Sequence, residues 1–93
     1  MSPEATADLC MTIHARARVQ SRSIPSDVIE MLLDFGAEVA APGNAIRLFF
    51  DKGARNRVKK LMGGDRGVRT IERWFNTCAI LGNDGRIITV YRK

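Results

Sequence analysis

Two runs rich in β-forming residues, Thr77–Leu81 and Arg86–Tyr91, flank the tetrapeptide Gly82-Asn83-Asp84-Gly85. Asp-Gly between such runs favours a tight hairpin turn. Strand alternation then places Ile87, Thr89 and Tyr91 on one face, and Ile88 and Val90 on the other. Apolar side chains on both faces predict a hairpin in the middle of a sheet. This feature narrows the fold more than any other in the chain.

The rest of the 93 residues arranges itself around it. Pro42-Gly43-Asn44 is a turn signal between Ala37–Ala41 and Ile46–Phe50, which predicts a second hairpin. Two helices are expected between the hairpins. Asp51 caps the first, with Ala54, Val58, Leu61 and Met62 as its apolar face and Lys52, Arg55 and Lys59 on the other side. Gly63-Gly64 ends it. Asp65 caps the second, with Val68, Ile71 and Phe75 inward and Arg66, Arg69 and Arg73 as a basic stripe. Trp74, beside that stripe, reads as a core residue rather than a stacking platform.

Ahead of the first hairpin, Leu9, Met11 and Ile13 alternate with polar residues, as in a short strand or extended entry. Thr12 caps a helix from about Ile13 to Arg22, with Ala15 and Val19 as its inner stripe. Pro25 opens the next helix, and Asp27 with Glu30 resembles a capping box. Ile29, Leu32, Leu33 and Gly36 follow the spacing of a buried helix face, with Gly36 as a positive-φ terminator. The expected architecture is a single α+β domain over 1–93: N-terminal helices, an antiparallel sheet of two hairpins, and two basic helices between the hairpins. Met1–Ala7 is small and polar, and is expected to fray.

Charge is uneven along the chain. Met1–Phe50 holds four basic and six acidic residues, whereas Asp51–Lys93 holds eleven basic and four acidic ones. The net +5 therefore comes from the second half. Such an imbalance suits RNA or an acidic protein partner, and equally a solvated, solubilising surface. Cys10 and Cys78 lack CxxC spacing, so no metal site or other cofactor is expected, and Cys78 reads as a reduced core residue. No apolar N-terminal stretch has basic flanks, and no apolar run approaches the length of a membrane span. Cytoplasm is the expected location.

One stretch carries a candidate chemistry. On a helix, His14, Arg18 and Arg22 stand one turn apart on one face, alongside the inner stripe. His14 is the only histidine, and histidine is the side-chain type suited to proton transfer near neutrality. The stretch resembles a bacterial family of small domains of unknown function, the one numbered 4258. His14, Ala15, Arg18, Arg22 and Ile24 match its pattern residue by residue, while Ser23 stands where that family carries glycine. The second half resembles small bacterial uncharacterised proteins in Phe49-Phe50-Asp51-Lys52, Ala54-Arg55 and Asp84-Gly85-Arg86-Ile87-Ile88-Thr89-Val90. The likeness implies an α+β fold and, by looser analogy, kinship with metal-independent RNase toxins of the RelE and barnase type.

Three functions fit these residues. In metal-independent RNA cleavage, His14 would move the proton, Arg18 and Arg22 would hold the phosphate, and Tyr91 would assist. The competing reading gives His14 a structural bond at the helix start. In a binding module, Lys52, Arg55, Lys59, Arg66, Arg69 and Arg73 would contact phosphates without chemistry. Those residues could also be the solvated backs of two amphipathic helices. In an interaction protein, an acidic segment would mask the basic surface, as in a toxin–antitoxin pair. P-loop, GxGxxG and GxSxG motifs are absent. Cys10, four residues before His14, lacks an orienting third residue for nucleophilic catalysis.

Overall fold

The computed structural model describes residues 11–93. The readings of Met1–Ala7, Leu9 and Cys10 lie outside the described residues. The elements run α1 (Ile13–Ser21), α2 (Ser26–Phe35), β1 (Ala37–Ala41), β2 (Ala45–Phe49), α3 (Lys52–Leu61), α4 (Asp65–Val68), a 3-10 turn (Glu72–Trp74), β3 (Thr77–Leu81) and β4 (Ile87–Arg92). The strands form one antiparallel sheet in the order β1-β2-β3-β4. The α+β class and the two hairpins are as the sequence pattern predicts.

The C-terminal hairpin is not central. β3 lies inside the sheet, but β4 is its last strand, and the outer edge of β4 is touched by an isolated parallel bridge from Met11 to Ile87. The register of β4 also breaks. Ile80 pairs with Thr89 and Leu81 with Ile87, which leaves Ile88 as an extra residue. This bulge resets the alternation, so Ile87 and Val90 both enter the core while Ile88 stays exposed. Simple period-two counting puts Ile87 and Val90 on opposite faces.

The bulge is where α1 docks. The Thr12 N–H donates to the Ile87 carbonyl at 2.9 Å. The Thr12 hydroxyl donates to the Ile88 carbonyl at 2.9 Å and accepts from the Ala15 N–H at 3.1 Å. One side chain therefore caps the helix and ties it to the sheet. Thr12→Val removes both hydroxyl bonds at constant shape. It is expected to cost about 1–2 kcal/mol, read from the denaturant midpoint.

Ala15 is fully buried and Val19 packs against the core, as the inner stripe requires. Ile13, by contrast, is 88% exposed. Ser23 holds the left-handed conformation that ends α1, at φ 54°. Glycine adopts this backbone without penalty, whereas serine carries a conformational cost there.

α2 differs from expectation in three details. Its buried face is Val28, Ile29 and Leu32, with Leu33 exposed. Pro25 occupies the N-cap without a side-chain bond, so Asp27 and Glu30 do not form a capping box. Gly36 has φ −63° rather than a positive value. It is needed for space, since a Cβ there would collide with the Leu32 carbonyl oxygen.

Asp51 caps α3 through a 2.8 Å bond from the Ala54 N–H, and Ala54 and Val58 are fully buried. Leu61, expected on that face, is 61% exposed. The second basic helix is the larger correction. After the four residues of α4 the chain turns and passes through the 3-10 segment. Val68, Ile71 and Trp74 are its buried residues, at three-residue spacing, and Phe75 is only half-buried. Its ring stacks obliquely on Phe50 at 5.3 Å between centroids.

Candidate nucleic-acid interface

All helical core residues join one cluster with Leu48, Ala79, Ile87 and Val90, on one side of the sheet. The intervening residues point the other way. No helix among the described residues packs on that second face. Cross-strand register sets its layout. One row runs Ala37, Phe49, Cys78 and Tyr91, and the next runs Val39, Arg47, Ile80 and Thr89.

Phe49 is the centre of this face. The Arg47 guanidinium lies 5.5 Å from its ring centroid and the Lys93 ammonium 5.2 Å from it. Arg47 shares the face because it is two residues from Phe49 on β2. Lys93 reaches it from the end of β4, where its N–H donates to the Asn76 carbonyl at 2.9 Å and fixes the chain. Two cations are thus held over one aromatic pedestal, with less freedom than on a bare surface. The Arg47 Nε is shut off from solvent and has no hydrogen-bond partner. Cys78 is a free thiol, as expected, but it is buried in the row between Phe49 and Tyr91 and lies outside the main core cluster.

The residues singled out from the sequence are scattered relative to this face. His14 is exposed in the first turn of α1, Arg18 is half-buried, and Arg22 is the exposed C-cap. Tyr91 projects from β4 on the side opposite Val90, away from the layer that carries His14. The proton carrier and its proposed assistant therefore occupy opposite sides of the sheet.

Much of the basic helical surface serves the fold. The Arg55 Nε donates to the Phe50 carbonyl at 3.2 Å, and its guanidinium sits 5.5 Å from the Phe75 ring centroid. Lys59 pairs with Asp65. Arg73 and Arg92 stack on Trp74 at 5.2 and 4.9 Å, and Arg92 bonds the Asn76 side chain and the Arg73 carbonyl. Lys52, Arg66 and Arg69 are exposed. The break after α4 destroys the helical spacing that would have aligned Arg66, Arg69 and Arg73.

Sequence reasoning missed Arg47, Phe49 and Lys93. The signal was present in the strand period, since Arg47 and Phe49 alternate with Ile46 and Leu48. A shallow groove of about 570 Å³ also runs along the β1–β2 hairpin, lined by Glu38–Ala41 and Gly43–Ile46. Glu38 is its single ionisable side chain, so it offers no acid–base pair. No helix of the described residues is long and apolar enough to cross a membrane. The chain matches no family model, no curated protein and no solved structure.

Proposed function

We propose that this protein binds single-stranded RNA across the open face of its sheet. The observation that carries the reading is the sheet face, free of helices among the described residues, on which Phe49 holds Arg47 and Lys93 beside Tyr91. Cations suit the phosphate backbone, and Tyr91 offers a ring edge or face to a base. Four strands at about 4.8 Å spacing span about 15 Å, wider than the roughly 12 Å major groove of B-DNA, which admits a helix or a two-stranded ribbon. The narrow major groove of A-form RNA is a poorer fit still. A broad sheet face suits an unpaired strand, whose bases can splay over it. Binding without cleavage accords with the separation of His14 from Tyr91.

Fluorescence anisotropy with a short labelled RNA tests this. The single strand should bind at least about ten-fold more tightly than its duplex, with a log–log salt slope of about −1.4 to −2.8 for two to four phosphates. Duplex preference, or a slope near zero, would sink the proposal. The RNA should also remain intact in EDTA. Cleavage that disappears in His14→Ala would replace binding with metal-independent ribonuclease action.

A further inference from the structure

The outer edge of β1 has no partner strand among the described residues. Edge strands are usually blunted by lysine, proline, a bulge or a covering segment. The β1 sequence Ala37-Glu38-Val39-Ala40-Ala41 carries one charge, at Glu38, but no lysine or proline, and pairs with β2 without a bulge. Glu38, Val39 and Ala40 are all exposed, Val39 at 38%. The helical layer does not close over the hairpin, and the 570 Å³ groove runs beside this strand.

We infer that β1 pairs antiparallel with β1 of a second copy of this chain, about a two-fold axis through Val39. The argument is self-complementarity. In that register Val39 meets its own copy, Ala37 faces Ala41, and Glu38 faces Ala40. No like charges oppose one another, and the two β-branched Val39 side chains form a matched cross-strand pair. Centring the axis on Glu38 instead would set two carboxylates directly against each other. The pairing joins two sheets into one of eight strands with both open faces on the same side. The two β2 strands are then three spacings apart, about 14 Å, so two Arg47–Phe49 clusters share one platform. This dimer stands independently of the RNA reading.

A five-residue strand pair buries little area, so association should be weak, between about 10 µM and about 1 mM. Sedimentation velocity over that range should show the wild type passing from monomer to dimer. V39K sets two ammonium groups opposite each other and should weaken association at least about ten-fold. A40K sets an ammonium opposite the second copy's Glu38 and should associate at least as tightly as wild type. V39T, which keeps the branched shape, should stay close to wild type, and a wild-type far-UV circular dichroism spectrum and melting temperature for V39K show that its loss is not a folding defect. A wild type that stays monomeric at the highest concentration would overturn the inference. So would an unchanged V39K, or an A40K weakened as much as V39K.

Discussion

Gly67→Ala should lower stability by about 3 kcal/mol or more, into the range reserved for severe core defects. A Cβ at Gly67 would overlap the carbonyl oxygen of Met62, a backbone atom that has nowhere to go. Met62 is the C-cap of α3, with its N–H bonded to the Val58 carbonyl at 3.0 Å. Gly63 and Gly64 then reverse the chain at φ 87° and 100°, and the Gly64 N–H returns to the Lys59 carbonyl at 2.8 Å. On the other side, Val68 bonds the Gly64 carbonyl and is buried with Ile71 and Trp74. Moving either backbone breaks a turn or lifts three apolar side chains from the core. For a domain of this size the melting temperature should fall by about 12 °C or more. Gly43→Ala is the control. Its φ is 76° with no neighbour within 4 Å of a Cβ, so it carries conformational strain of only about 1–2 kcal/mol. Equal melting temperatures for the two variants would contradict the packing account.

The same glycine explains part of what could be read from the chain. Local signals were legible where one residue decides the outcome. Thr12 and Asp51 cap helices because their oxygens reach back to an N–H three residues on. Pro42-Gly43-Asn44 turns because Gly43 and Asn44 accept positive φ. The α+β class and both hairpins followed from such signals.

Legibility ended where tertiary packing overrode local pattern. The run from Asp65 to Phe75 has helical apolar spacing, yet Gly67 is drawn against Met62 and the chain leaves the helix after Val68. The bulge at Ile88 is set by the docking of Thr12, seventy-six residues away in sequence, so β4 alone could not announce it. Leu33 and Leu61 match a helical stripe, but both side chains are exposed. The candidate site was hidden for a related reason. Runs of basic residues are conspicuous on the helices. The open face collects Arg47, Phe49, Tyr91 and Lys93 from two strands, and only sheet register brings them together.

The second large effect concerns that face. Arg47→Ala should weaken binding of single-stranded RNA by about 10- to 100-fold, the loss expected when a charged hydrogen-bonding group is removed from a phosphate. It should also make the salt slope shallower by about 0.7. Within the described residues the change removes the 5.5 Å stack on Phe49, a loss of about 1 kcal/mol that the fold should tolerate. Phe49→Leu keeps an apolar strand residue but removes the pedestal beneath both cations. It should weaken binding by about 3- to 10-fold while leaving the charge intact. Helical cations provide the contrast. Arg66 and Arg69 are exposed on the segment after α3, on the side of the sheet that carries the helices, and their combined replacement by alanine should change affinity less than about three-fold.

The most direct measurement sets Arg47→Ala beside the Arg66→Ala/Arg69→Ala double variant, titrated into the same labelled single-stranded RNA at one salt concentration. A large loss for Arg47→Ala with near wild-type affinity for the double variant is the result expected of an open-sheet interface. The reverse order would place the RNA on the helices and contradict it.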